Sequence, residues 1–470
     1  MDIYSFEFEK HMIITFAIVA VSLTIGLVLM QYASAQNEND SDTDSNKIGE
    51  QPNIIRDSNL KIEVVAQGLE FPTTMAFVGP DDILVSEKNT GNLKRIVEGN
   101  ILEETLLHVN LAHENERGML GIAVVNNTQN GTTHTYVFVY FTESKSSKDV
   151  ADECLPPEPY YCEQEKEPLG NRLYRYELVN NELLNPKLLL DLPATPGASH
   201  NGGVVLIGPD NNIYTAIGDV SQRNRSLAQN VENSKDPDGR GGILRVTQDG
   251  DTVGNGILGY SHPLNKYYAY GIRNSFGIDS DPLTGFLWDT ENGPAYGDEI
   301  NLVKPGFNSG WSKVQGIWTV PLGLKTLPSS YTDFKLEFAQ KKPDNLVEFN
   351  GKGEYSPPEF TWVKPVGPTA IKFLATDKLG KEYKNDLFVG DVRGIIYHLE
   401  LNKDRTELVL TGKLSDKVAD TSAEIDEADI IFGAGFGRIT DIEVGPYDGD
   451  IYVVSNSEGK IFRIVPTNDN

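Results

Sequence analysis

Cysteine is almost absent from this chain: two occur in 470 residues, Cys154 and Cys162, close together in one Pro/Glu-rich stretch. No second ligand pair accompanies them, which removes a zinc site, whereas a local disulfide clipping that loop outside the cell is compatible with their spacing. Positive charge is scarce as well. Against 68 acidic residues stand 41 basic ones, a formal net charge of -27. That balance keeps a surface soluble, repels polyanions and takes nucleic acid off the list of partners. An acidic excess also suits divalent cations, but it is ordinarily just a solvated face. Long apolar runs are absent too, save residues 12–30, which are uncharged and long enough to cross a bilayer. Ala33-Ser34-Ala35 follows, with the small-residue shape of a signal-peptidase site. The length of the run suits a retained anchor and the tripeptide suits removal; export follows from both. Residues 1–35 therefore read as a signal peptide or membrane anchor, and the Asn/Asp/Ser-rich residues 36–58 as a disordered spacer. The folded body, 59–468, belongs in an extracellular or periplasm-like space.

What the chain has in quantity is one recurring phrase: a Gly/Pro/Asp turn, a hydrophobic strand, then a second strand reading like Leu-x-Arg-Ile. Copies are Pro80–Ser86 with Gly91–Ile96, Pro209–Thr215 with Gly242–Val246, and Gly285–Trp288 with Asp298–Val303. Others are Asn385–Val389 with Gly394–Leu399, Gly449–Val454 with Gly459–Ile464, and more loosely Thr135–Tyr140 with Asn171–Tyr176. A small sheet of this kind cannot bury both its faces alone, so neighbours must stack around an axis. About six units predict an all-β chain folded as a six-bladed β-propeller. The long stretches 143–170, 219–239 and 307–360 are then loop insertions at the propeller ends, where function sits.

Five stretches carry chemistry-bearing residues at strand entrances. His200 stands in Gly197–Gly203 ahead of an apolar strand. Glycines on both sides leave room for a ligand beside an imidazole whose titration range suits proton removal from an alcohol; the plainer reading is a histidine bonding its own turn. Arg273 and Asn274 lie between Gly271 and Gly277, a cationic fork beside a donor–acceptor amide, suited to an oxygen-rich planar ligand. Asn292-Gly293-Pro294 exposes carbonyls, with Asp298 and Glu299 close behind, so oxygen donors for calcium are available. Glu116 precedes a tight turn at Gly118, and Arg438 precedes the last blade. Entrances at one rim of a propeller converge on its central channel.

In this order, Glu116–Gly121, His200–Gly203, Tyr214–Asp219, Tyr270–Asn274, Glu291–Pro294 and Gly297–Leu302 resemble the glucose/sorbosone dehydrogenase family, sugar dehydrogenases that use pyrroloquinoline quinone. The likeness covers roughly residues 60 to 466. It implies a six-bladed propeller that oxidises the anomeric CH–OH of aldose sugars to lactones, with quinone and calcium as cofactors and an unidentified electron acceptor. It makes His200 the general base and Arg273 the group that stabilises negative charge on the quinone. Asn274, Arg438 and Thr440 fall at the cofactor, and the carbonyls of Gly293 and Pro294 at the calcium. Glu116, Asp298 and Trp362 fall at the sugar.

Two positions depart from the family pattern. Asp391-Val392-Arg393-Gly394 has Val392 where a lysine usually contacts the quinone, and Arg438-Ile439-Thr440 has Thr440 where a second arginine is common. Each lost charge-assisted contact costs about 1.5–3 kcal/mol, more than tenfold in binding. Arg393 is the adjacent cation that would substitute. The departures keep two other classes open: a cofactor-free extracellular propeller that only binds or scaffolds, and a calcium-dependent lactonase.

Overall fold

The computed structural model describes residues 53–129, 131–144, 168–221, 226–233, 235–320, 339 and 343–468, all in one compact unit, Pro52–Asn470. The expected helix at 12–30, residues 36–52 of the expected spacer 36–58 and the Cys154–Cys162 clip lie outside them; the rest of that spacer is not disordered, since Ile54 and Ile55 pair with Ala434 and Gly433 at a sheet edge. What is described is an all-β propeller. Five sheets have four continuous antiparallel strands. The first comprises Met119–Gln129, Thr132–Ser144, Pro168–Val179 and Glu182–Leu192, and the second Val205–Ile207, Ile213–Ile217, Gly242–Val246 and Tyr267–Tyr270. The third comprises Ser275–Ser280, Leu287–Glu291, Asp298–Val303 and Phe360–Trp362; the fourth Pro368–Phe373, Leu387–Asp391, Ile396–Leu399 and Ile431–Ala434. In the fifth, Ile439–Val444, Ile451–Ser455 and Lys460–Pro466 are completed by Leu60–Gln67 from the other end of the chain. The count of complete blades is therefore five rather than the expected six. In the remaining sheet, Pro72–Gly79, Asp82–Glu87 and Asn92–Val97, the outer strand is broken into Asn100–Ile101 and Leu107–His108. Between the fragments stand Glu103 and Glu104, residues depleted from strands.

Packing explains why these sequences form strands buried on both faces. Ile213–Ile217 and Ile451–Ser455 are buried at every position, where a sheet with one wet face would alternate. Each sheet shares side chains with the next: Phe138 and Leu173 with Ile213 and Leu244, Tyr214 and Ile243 with Ile278 and Leu287, and Trp288 and Ile300 with Val389 and Tyr397. Phe388 and Ile396 pack with Ile439 and Val453. The broken-edged sheet is joined the same way, through Met75 and Ile83 to Tyr452 and Ile461, and through Leu84 and Leu93 to Met119 and Ile122. Full burial of one such Val, Leu or Ile contributes about 1.5–3 kcal/mol.

The innermost strands line a narrow axial cavity of about 40 Å³ that includes Thr73, Ile122, Val204, Ile278, Lys372 and Glu443. Lys372 Nζ lies 2.7 Å from Glu443 Oε2 and 3.7 Å from Asp279 Oδ1. Burial works against its charge, but Asp279 and Glu443 hold the ammonium above its ordinary range. A second, larger cavity shares Thr73, Leu120, Val204, Phe276 and Thr440 with the first, and so opens at one end of the axis.

Candidate active site

The larger cavity encloses about 510 Å³ and is lined by His200, Arg273, Gly293, Glu116, Asn274, Val392, Arg438 and Thr440, together with Lys88 and Phe276. Seven of the expected site residues, with Val392 at the position of the missing lysine, thus meet in one place, although they come from loops far apart in sequence.

His200 is placed by its backbone. It has φ 62°, a left-handed conformation costly for a side chain with a Cβ, and the loop around it supplies the compensation. Glu116 Oε2 accepts from His200 N at 2.6 Å, and the neighbouring Asn201 is locked by Asn171 Nδ2 at 2.9 Å and by its own bond to Ala198 O at 2.7 Å. Gly218 allows the approach: a Cβ there would lie 2.3 Å from Arg273 O and 2.9 Å from His200 Cβ.

The ring is oriented by Asp219, whose Oδ1 is 2.6 Å from His200 Nδ1. The carboxylate is buried and also accepts from Trp311 Nε1 at 2.9 Å. Burial opposes its ionisation, yet the bond to His200, the charge of Arg273 and the bond to Trp311 hold it below the ordinary carboxylate range. An ionised carboxylate only accepts, so Nδ1 carries a proton, and the neutral tautomer this selects has its lone pair on Nε2. Neither Asp219 nor Trp311 was assigned a role from sequence. Asp219 stood in the motif Tyr214–Asp219; Trp311, 92 residues further on, gave no local signal.

Arg273 is buried, which lowers its basicity, while Asp219 and Glu116 oppose that effect. Its Nη1 donates to Asn292 O at 2.7 Å and Gly293 O at 2.8 Å, and its guanidinium carbon lies 5.6 Å from the centre of the Trp311 ring. Asn274 Nδ2 donates to Glu116 Oε2 at 3.3 Å. Thr440 donates to Pro72 O at 3.2 Å.

Four expected positions are placed elsewhere. Asp298 does not face a ligand: its carboxylate accepts from Gly293 N, Val366 N and Gly367 N at 2.7–2.8 Å, tying the loop of Gly293 to the next sheet. Trp362 is a core residue, 2% exposed, with ring contacts to Phe360 and Tyr397. Arg393 does not reach toward Val392's place, because Asp391 Oδ2 accepts from its Nε and Nη2 at 2.9 and 2.7 Å and Tyr397 Oη bonds the same group. Pro294 is not among the residues lining the cavity.

The sequence profile of the Glucose / Sorbosone dehydrogenase family matches residues 69–320, more than half of the chain. The chain belongs to that family. Among proteins similar to it, the aldose sugar dehydrogenase of Escherichia coli K12 is 27% identical over 279 residues, 59% of this chain and 63% of the relative. Quinoprotein glucose dehydrogenase B of Acinetobacter calcoaceticus is 28% identical over 279 residues, 56% of this chain and 54% of the relative. The match thus spans between half and two thirds of each of those proteins. The PQQ-bound aldose sugar dehydrogenase of Streptomyces coelicolor superposes with a TM-score of 0.56 at 19% identity, covering 87% of this chain and 99% of that one, a likeness of fold.

Behind Arg273, Glu291 Oε1 accepts from Arg273 N at 2.7 Å. Burial pushes Glu291 up to about 8 and its neighbour Asp289 up to about 7; in the axial cavity burial pushes Asp441 to about 7. A carboxyl raised above its unfolded value of about 4 stabilises the fold fully below that value, and the contribution is lost as pH rises through the folded value. Thermal unfolding is therefore expected to show the protein less stable at pH 9 than at pH 5.5, by on the order of a few kcal/mol. A flat profile across that window would contradict the raised values.

Proposed function

We propose that the protein is an exported quinoprotein dehydrogenase that oxidises the anomeric carbon of an aldose to the lactone, on a six-bladed propeller whose sixth blade is the broken-edged sheet of Pro72–Val97. What supports the blade count is that this sheet shares core side chains with both neighbours. The observation that carries the functional reading is the meeting of His200, Arg273 and Gly293 in one cavity.

The donor set fits pyrroloquinoline quinone, a planar ligand with several carboxylates. Three cations, Lys88, Arg273 and Arg438, line the cavity against one carboxylate, Glu116, and Phe276, Leu120 and Val204 supply apolar surface. Arg273, Asn274 and Arg438 would hold the cofactor, with Thr440 beside it but its hydroxyl committed to Pro72 O; when bound the cofactor supplies a two-electron acceptor for the sugar. His200 Nε2 takes the proton of the anomeric hydroxyl, and Asp219 offsets the charge the ring acquires. Arg273 keeps a fixed positive charge facing the reaction because two carbonyls hold its Nη1. Glu116 fixes the His200 backbone and keeps one oxygen available to sugar hydroxyls.

For calcium the donor set as it stands does not fit. Gly293 O already accepts from the Arg273 guanidinium, so a divalent ion on that oxygen would face a cation unless Arg273 withdrew. Among the described residues no three His, Cys, Asp or Glu side chains are grouped to hold a metal ion, which leaves the lactonase reading without a side-chain donor set. A cofactor-free propeller is the second reading, favoured by the apolar Val392, 42% exposed, and by the locked Arg393. The experiment that separates the two is addition of quinone, calcium, glucose and an artificial acceptor to purified apo-protein. Turnover that requires the quinone is expected; a panel of aldoses that leaves the quinone spectrum unchanged would favour the second reading.

A further inference from the structure

The lysine expected at position 392 is a valine, and the neighbouring arginine is committed to Asp391. Another cation nonetheless reaches this cavity from a different sheet. Lys88 follows the strand Asp82–Glu87 and lines the same wall as Arg438, Thr440 and Asn456. Its backbone is fixed, since Lys88 N donates to Phe71 O at 3.0 Å and Lys88 O accepts from Met119 N at 3.0 Å. The stem is pressed against Gly118, where a Cβ would stand 2.7 Å from Lys88 Cγ. The head is therefore directed rather than free to wander over the surface.

An ammonium carries three N–H groups. Two find neutral acceptors, Asn89 Oδ1 at 3.0 Å and His113 O at 3.1 Å, and no carboxylate among the described residues pairs with Lys88. The nearest candidate, Glu116, has Oε2 engaged by His200 N and Asn274 Nδ2. Burial pushes the ammonium down to about 8, with Glu116 holding it up and the charge of Arg438 pressing it down further. Two cations thus stand close enough to oppose each other, half-buried on the Lys88 side, in a cavity wall whose nearby polar groups Thr440 and Asn456 are spent on Pro72 O. Such an arrangement is unfavourable when empty and is relieved by an anion placed between the two heads.

We propose that Lys88, together with Arg438, anchors a carboxylate of the bound quinone and supplies the positive charge that Val392 does not. This rests on the quinoprotein reading above and assigns it one further binding residue.

The test is equilibrium titration of the full-length apo-protein, in calcium, with pyrroloquinoline quinone and with its trimethyl ester, followed by quenching of tryptophan fluorescence. Lys88→Met is expected to weaken binding of the acid about tenfold or more and to leave the ester nearly unchanged; Lys88→Arg and the double variant Lys88→Met/Val392→Lys are expected to recover most of the loss. Equal affinity of wild type and Lys88→Met for the acid would overturn the proposal while leaving the quinoprotein reading intact. A parallel loss for acid and ester would overturn it too, as a mere effect on cavity shape. Wild-type protein that binds neither ligand would remove the quinoprotein reading and this assignment with it.

Discussion

Replacing His200 with alanine is expected to lower turnover roughly 10²- to 10⁴-fold, the scale of a lost general base, with little change in quinone affinity. The reason lies in how few groups in the cavity are able to accept a proton. Lys88, Arg273 and Arg438 are cations, the amides are neutral, and Glu116 already receives His200 N and Asn274 Nδ2 on one oxygen. The neutral imidazole offers a lone pair on Nε2, because Asp219 holds the proton on Nδ1, and the second Glu116 oxygen is its one rival as a base in the cavity. Stopped-flow reduction of bound quinone by sugar measures the loss directly, and a separate binding titration shows that the cavity survives. Turnover equal to wild type would transfer the role to Glu116 and refute the assignment.

The second large effect is expected from Asp219→Asn. Asparagine nearly preserves the shape, and its carbonyl can still accept from Trp311 Nε1. Its NH₂ then faces His200 Nδ1, which can only accept, so the ring proton moves to Nε2 and the lone pair needed for catalysis is gone. Losses of roughly 10²- to 10⁴-fold follow from such a wrong tautomer. Because the two residues act as one unit, the double variant His200→Ala/Asp219→Asn should be little worse than His200→Ala alone. Multiplicative losses would instead mean that Asp219 acts mainly through Arg273, whose charge it also faces.

Much of this site could be read from residue order because it depends on local rules. Glycines at 202 and 203 announce a sharp turn before a strand, and strand entrances at one rim must approach the axis, so His200, Arg273 and Gly293 were expected together. What failed depended on partners the sequence does not align. Asp298 looked like a ligand to sugar, but three backbone N–H groups, two of them at 366 and 367, needed an acceptor and took it. Trp362 offered a flat ring, yet its position in Phe360–Trp362 puts that ring in the core between sheets. Arg393 was expected at the cofactor, but Asp391, two residues away, takes its guanidinium instead. Lys88 gave no signal beyond its place at a strand end. The phrase at Pro80–Ile96 matched the other repeats well, but it says nothing of the outermost strand, where the blade is broken.

Leu60–Gln67 lies hydrogen-bonded beside Lys460–Pro466, with Ile62 opposite Ile464 and Val64 opposite Phe462. The molecule is consequently a belt whose buckle needs both ends. A nascent chain still tethered at its carboxyl end has every other sheet available but no means of shutting the circle, and the cavity that straddles the axis stays unfinished with it. Loss of the last ten or so residues, remote from His200 in sequence, would then abolish ligand binding as surely as damage to the pocket itself.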